Sequence, residues 1–167
     1  VNVGRGAYQR AAKLTAAIEE ARQEIASFIG AQPEEIIFTP NTTDSLNKLA
    51  YSIPFYSGDR ILVTSLEHHS NLLPWKIVAK KNNLEIEVIP FTKNGLIDLE
   101  TFEVFCKKGC RLVAATACSN VLGTVQPICE MVKMAHQYGV YVALDVAQFA
   151  GHRIFNVKDT GCDFCAF

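Results

Sequence analysis

The chain has 167 residues, of which 49% are hydrophobic and 20% are charged. Its 16 Lys and Arg nearly balance its 17 Asp and Glu, so the formal net charge of −1 gives no basic field to attract nucleic acid. The composition is too apolar for a disordered chain, and no run of apolar residues reaches the roughly 18 that a membrane-spanning helix requires. The length predicts one globular domain, and we expect neither nucleic acid nor a membrane as a partner.

Helices and strands are predicted to alternate along the chain. Apolar residues at spacings of three and four predict an amphipathic helix over residues 8–29, ended by Gly30, with a face made of Ala11, Leu14, Ile18, Ala21, Ile25 and Phe28. Further helices are predicted around Leu46–Ile53, 72–81, 99–105 and 127–138. Short apolar runs predict strands at 36–39, 61–64, 85–89, 111–116, 140–144 and 162–167. This alternation is typical of an α/β fold whose mostly parallel sheet is covered by helices on both faces.

Polar residues follow the predicted strands at their C-terminal ends. They are Asn41, Thr42 and Thr43, then Glu67, His68, His69 and Asn71, then Ser119 and Asn120, and finally Asp145 and Gln148. Ligands of open α/β sheets bind outside the C-terminal ends of the strands. The sequence therefore predicts a ligand site at this rim of the sheet.

Thr42 and Thr43 lie between a predicted strand and a predicted helix. Free helical N–H groups and two hydroxyls at such a junction suit a phosphate, although a simple Thr N-cap is the alternative. A nucleoside triphosphate is disfavoured because the Gly-rich, Lys-bearing phosphate loop is missing. A dinucleotide is disfavoured because Gly4-Arg5-Gly6 follows no strand.

Asp145 ends an apolar run, where a carboxylate is costly to bury without a partner. A cationic group on a ligand would satisfy it, and a helix cap or a salt bridge is the alternative. His68 is able to present its ring face to a planar ligand, or to be an ordinary surface-loop residue. Because adjacent residues do not share one face of a helix or strand, a metal held by both His68 and His69 is not expected.

Six cysteines occur without a secretory signal, so we expect reduced, mostly buried thiols in a cytosolic protein. Cys162-x-x-Cys165 matches half of a zinc or redox motif, and Cys106-x-x-x-Cys110 is the only possible second pair. A four-Cys zinc site is the less favoured alternative. Residues three apart in a strand face opposite sides of a sheet, so we expect Cys162 and Cys165 to point apart.

Considered together, these loops resemble a known family. The stretches IIFTPNTTD (36–44), EHHSNLLPW (67–75), SNVLG (119–123), LDVAQ (144–148) and DFCAF (163–167) are similar, in order and spacing, to those of PLP-dependent cysteine desulfurases. These enzymes belong to the class V aminotransferase superfamily, and the likeness is greatest to the SufS-like and selenocysteine-lyase branch. The resemblance implies the large domain of fold type I PLP enzymes and pyridoxal 5′-phosphate (PLP) as cofactor.

The resemblance also implies residue roles. Thr42 and Thr43 would hold the PLP phosphate, with Thr43 the better candidate for a direct contact. His68 would stack on the pyridine ring and relay protons, and Asp145 would pair with the pyridinium nitrogen. Hydrogen bonds to the ring oxygen or to the substrate would come from Asn120 and Gln148.

The main departures from the family concern residues that it carries after the DFCAF-like strand. The family's Schiff-base lysine comes almost at once after that strand, in a Ser-x-His-Lys motif, and its nucleophilic Cys and substrate-binding Arg lie in the later half. We therefore expect residues 1–167 to be a partial PLP-binding large domain, inactive alone, without the family's N-terminal segment and C-terminal half. Asn41 replaces a common Gly, and Tyr8 stands where some members have His.

The implied parent reaction converts cysteine, or selenocysteine, to alanine and delivers the sulfur, or selenium, to an acceptor protein for iron–sulfur cluster assembly. The implied protein is a cytoplasmic or organellar homodimer. Three alternatives remain open. They are another class V PLP transaminase or lyase, a non-catalytic α/β module that binds a phosphorylated small molecule or a protein, and a piece with no independent function.

Overall fold

The computed structural model describes residues 8–167. Its helices are α1 (Gln9–Ile29), α2 (Thr42–Ser52), α3 (Leu73–Asn82), α4 (Leu99–Lys107), α5 (Ile128–Gln137) and the single turn α6 (Val157–Thr160). Its strands are β1 (Arg60–Thr64), β2 (Glu85–Ile89), β3 (Leu112–Thr116), β4 (Tyr141–Asp145) and β5 (Phe164–Ala166). Short 3-10 turns occupy Pro33–Glu35 and His69–Asn71. The predicted helices are all present, and α6 is an additional helical turn in the polar segment before the last strand.

The sheet is parallel throughout, with the strand order β2-β1-β3-β4-β5. The expected mostly parallel α/β fold is therefore confirmed. Its register places Thr116 of β3 beside Asp145 of β4, and Asp145 beside Ala166 of β5. Because all strands run the same way, the loops that leave β1, β3 and β4 emerge at one rim of the sheet.

Helices cover both faces of this sheet. On one face, Trp75 and Val78 of α3 and Ala50 of α2 pack against Ile61 and Leu112. On the other face, α4 and α5 pack against the alternate strand residues through a cluster that includes Phe102, Met131, Leu62, Val113 and Leu144. Each fully buried large apolar side chain contributes about 1.5–3 kcal/mol of hydrophobic free energy. The two layers hold the strand ends in fixed positions, and the rim loops depend on that rigidity.

The predicted strand at residues 36–39 is wrong. This extended segment is held by α1 instead, since the Arg22 guanidinium donates to the Ile36 carbonyl and lies 4.9 Å from the centre of the Phe38 ring. A groove of about 380 Å³ runs between the segment and β5. Strand formation requires a hydrogen-bonding neighbour, and no strand among residues 8–167 pairs with this segment.

Helix α1 follows the predicted period but buries only part of the predicted face. Ala11 is buried, whereas Leu14 and Phe28 are 39% and 61% exposed. The helix ends at Gly30, as predicted, in the left-handed conformation (φ 73°) that glycine adopts without strain. No helix within the described part of the chain is long and apolar enough to cross a membrane. The Gly4-Arg5-Gly6 stretch lies outside the described residues.

Candidate functional site

Asp145 is the last residue of β4 and is buried at the rim, with 6% of its surface exposed. Its Oδ1 accepts the Ala147 backbone N–H at 3.0 Å, and no salt bridge to it exists within residues 8–167. Burial raises the pKa of Asp145, whereas the Ala147 N–H and the nearby His68 side chain lower it. The carboxyl is therefore desolvated. It caps the turn that follows β4, as one alternative expected, and it has no salt-bridge partner among the described residues.

His68 stands at the start of the 3-10 turn His69–Asn71, and its ring is exposed. Its Nδ1 accepts the Ser70 backbone N–H at 3.2 Å and lies 2.7 Å from Ser70 Oγ. This bond orients the ring and leaves Nε2 directed away from the turn. The rings of His68 and His69 meet edge to face, 6.1 Å apart at 67°. The two rings therefore cannot lie against one planar ligand together.

Thr42 and Thr43 begin helix α2, and Asn41 caps it by accepting the Asp44 N–H at 2.9 Å. The Thr N-cap alternative is therefore not what the structure shows. The N–H and hydroxyl groups of Thr42 and Thr43 make no hydrogen bond to other described residues. Such free donors at a helix N-terminus, where the helix dipole favours negative charge, suit a phosphate.

Asn120 and Gln148 are exposed residues in the turns that follow β3 and β4. The turn of Asn120 is shaped by Ser119, whose Oγ accepts the N–H groups of Val121 and Leu122 at 3.3 and 3.2 Å. The structure thus places both amide side chains at the predicted rim. It shows no contact of either with Asp145 or His68.

Glu67 is the site residue to which sequence reasoning assigned no role. Its Oε1 accepts the Thr116 backbone N–H at 2.7 Å and the Thr64 hydroxyl, and its Oε2 accepts Asn71 Nδ2 at 2.6 Å. Burial raises the pKa of Glu67 to about 8, against these three hydrogen bonds, and the charge of Asp145 raises it further. The sequence feature that could have indicated a role for Glu67 was its position: an acidic residue immediately before His68, in the loop after an apolar strand.

The expectation that Cys162 and Cys165 point apart is wrong. Cys162 lies before β5 rather than in it, so the alternation of a strand does not apply. The two thiols contact each other, and this contact, together with burial, raises the pKa of Cys162. No cluster of three or more His, Cys, Asp or Glu that could hold a metal ion is found in the part of the chain that the structure describes.

Comparison with known proteins places these features in a family. The model of the class-V aminotransferases matches residues 1–167. A cysteine desulfurase of Dickeya dadantii is 38% identical over 169 residues, which cover 99% of this chain and 41% of that protein. The chain thus spans about two fifths of the length of the curated relatives that it matches.

Solved structures show the same likeness. The apo structure of a cysteine desulfurase from Thermococcus onnurineus superposes with a TM-score of 0.94 at 42% identity, covering 99% of this chain and 42% of the other. A cysteine desulfurase from Escherichia coli, in its S-sulfonic acid form, gives a TM-score of 0.86 at 31% identity with the same coverage. The fold and the order of the rim loops are therefore those of this group of enzymes.

Proposed function

This chain belongs to the class-V aminotransferase family, and from that premise we propose that it forms part of the PLP-binding large domain of a cysteine desulfurase. The observation that carries the proposal is the buried Asp145 carboxyl, which ends β4 with one backbone donor and no salt bridge among the described residues. A pyridinium nitrogen is a cation of the required kind. The identity to cysteine desulfurases over nearly the whole chain supports the same assignment.

The residues at the rim fit PLP by their chemistry. The free donors of Thr42 and Thr43 suit its phosphate, the Asp145 carboxyl suits its ring nitrogen, and the exposed His68 ring suits its aromatic face. Asn120 and Gln148 are the amides available for its ring oxygen or for the substrate. Bound PLP supplies an electron sink for negative charge at the α-carbon of an amino-acid substrate.

The chain's own residues perform the supporting steps. Asp145 holds a proton on the ring nitrogen, since its carboxylate is desolvated and gains most from a cationic neighbour. The first turn of α2, with the free donors of Thr42 and Thr43, would bind the phosphate. His68 would stack on the ring, and its Nε2 would hold or pass on a proton at the substrate. The roles of all six residues are proposals that rest on this geometry and on the family.

The proposed substrate is cysteine, with selenocysteine as the second candidate, and the proposed product is alanine. The sulfur would pass to an acceptor protein for iron–sulfur cluster assembly, as the family implies. The lysine and the nucleophilic cysteine that this reaction needs match no residue in 1–167, so we propose that they belong to a further part of the protein. A homodimer in the cytoplasm or an organelle fits the family, and the six free thiols fit a reducing compartment.

The test uses the full gene product loaded with PLP. Cysteine should yield alanine and, with a reductant, sulfide, and selenocysteine measured in parallel decides the preferred substrate. Asp145→Asn should remove the activity, whereas Asp159→Asn, an exposed change in α6, should keep it. Amino-group transfer to a keto acid without sulfide would assign a transaminase. Failure to bind PLP would favour the non-catalytic α/β module.

A further inference from the structure

The loop that carries His68 is tied down by the residue next to it. Glu67 precedes His68, and its Oε1 accepts the backbone N–H of Thr116, the last residue of β3. The same oxygen accepts the hydroxyl of Thr64, the last residue of β1. One carboxyl group therefore joins the loop to the ends of two neighbouring strands, directly before the ring that the site uses.

Asn71 closes this arrangement from the other side of His68. Its Nδ2 donates to Glu67 Oε2 at 2.6 Å, and its backbone N–H donates to the His68 carbonyl at 2.9 Å. The amide of Asn71 cannot turn over, because its Oδ1 accepts the indole N–H of Trp75 at 3.0 Å. Glu67 and Asn71, with the hydrogen bonds described above, form a bracket around His68. Asn71 and Trp75 are both fully buried, so this bracket is continuous with the core under α3.

The bracket also connects His68 to Asp145. Thr116, which donates its N–H to Glu67, pairs in register with Asp145 on the next strand. The His68 side chain is near enough to Asp145 to lower the pKa of that carboxyl, and the charge of Asp145 raises the pKa of Glu67. The loop that Glu67 fastens therefore holds one proposed cofactor-binding side chain, His68, near the other, Asp145.

We propose that Glu67 is a positioning residue, whose carboxyl fastens the His68 loop to the ends of β1 and β3 and thereby fixes the His68 ring relative to Asp145. This inference rests on the proposed function, since it gives His68 a planar ligand to meet. Glu67 itself touches neither substrate nor cofactor in this assignment. It acts by holding the loop through acceptor atoms at both carboxyl oxygens.

Glu67→Gln is the most informative substitution, because Gln has nearly the same volume as Glu but different hydrogen-bonding groups. A carboxyl group, protonated or ionised, keeps an acceptor lone pair at both oxygens, whereas the nitrogen of an amide only donates. In either orientation the new NH2 group faces a donor, Asn71 Nδ2 or the Thr116 N–H. Glu67→Gln should therefore loosen the loop without creating a cavity, and Glu100→Gln, an exposed change in α4, is the matched control.

Two measurements on the full gene product test the proposal. The first is the His68 Cε1–H resonance of the protein without PLP, assigned with a His68→Asn variant. We expect Glu67→Gln to displace and broaden this resonance and Glu100→Gln to leave it unchanged. The second is turnover of cysteine by the PLP-loaded protein, where Glu67→Gln should lower kcat about tenfold or more, with a smaller change in KM, because misplaced groups slow the chemical step.

The outcomes separate this inference from the proposed function. If the wild-type protein does not turn over cysteine, the proposed function fails, and the His68 resonance still decides whether Glu67 positions the ring. A His68 resonance in Glu67→Gln that superimposes on the wild type across the neutral pH range overturns the inference, even if thermal stability falls. If Glu67→Gln does not fold, Thr64→Val removes one donor from the same carboxyl, and an unchanged His68 resonance there overturns it equally.

Discussion

Glu67 and Thr116 are joined by a 2.7 Å hydrogen bond although they lie 49 positions apart in the chain. The bond links the loop after β1 to the final residue of β3, across the parallel pairing of the two strands. The bond holds the Glu67 carboxyl group beside the rim of the sheet, although Glu67 is not one of the residues proposed to bind the ligand. The electrostatics of the site therefore include two carboxyl groups, that of Asp145 and that of Glu67.

The Glu67 carboxyl predicts a pH-dependent stability. Burial raises the pKa of Glu67 from 4.5 to about 8, so the folded state holds a proton that the unfolded state releases. The stability due to that proton is complete below about pH 4.5 and is lost as the pH rises through about 8. Urea unfolding of the protein without PLP should show a decline of up to ~1.4 kcal/mol per pH unit over that interval. Glu67→Gln should remove this slope, and parallel curves for both proteins would contradict the assignment.

Asp145→Asn should disable the cofactor site while leaving the fold intact. The amide has nearly the same shape and still accepts the Ala147 N–H, but it offers no charge to a pyridinium nitrogen. Loss of one preorganised electrostatic partner typically lowers kcat by about 10²–10³-fold. Steady-state alanine formation by the PLP-loaded full gene product measures this effect. Activity within twofold or so of the Asp159→Asn control would show that Asp145 has no such role.

Removing one hydroxyl group at a time should show which of Thr42 and Thr43 contacts the PLP phosphate directly. Thr43→Ala should weaken PLP binding about tenfold, the equivalent of one hydrogen bond to a charged group, and Thr43→Ser should restore most of the affinity. Inorganic phosphate should compete with PLP for the wild-type protein and less well for Thr43→Ala. Equilibrium dialysis provides both constants. If only Thr42→Ala weakens binding, the direct phosphate contact belongs to Thr42 instead.

Asn41 should be important for stability through its side chain. The N-cap bond to the Asp44 N–H predicts that Asn41→Ala lowers the free energy of unfolding by ~1 kcal/mol. Asn41→Gly, which restores the residue common in the resembling family, should lower it by only a few tenths of that amount. Urea denaturation of the three proteins decides between them. Equal stability of Asn41→Ala and wild type would mean that the cap contributes nothing.

The alternation of helices and strands was predictable because each element carries its own local pattern. The apolar run that ends at Asp145 predicted both β4 and a costly carboxyl at its end, and both are present. The segment 36–39 was misassigned because an apolar run does not reveal whether a neighbouring strand exists. The exposed Phe28 shows the same limit for helices, since a period of 3.6 gives a face but not its partner.

The bracket around His68 could not be predicted for a different reason. Glu67 reaches Thr116 only because β1 and β3 pair in one particular register, and that register is a property of the whole sheet. The contact of Cys162 with Cys165 likewise depends on where β5 begins, which a short apolar sequence does not fix within two residues. Local sequence therefore predicted the side chains proposed to bind the ligand, whereas the residues that support them depend on the register of the whole sheet.

The two border strands of the sheet, β2 and β5, differ in charge and in what lies beside them. β2 forms one border and carries Glu85 and Glu87, charged residues of the kind that discourage a further strand from pairing. β5 forms the other border, has the uncharged sequence Phe-Cys-Ala, and lies beside the groove that separates it from residues 36–39. We therefore expect any further strand that joins this sheet to pair with β5 rather than with β2.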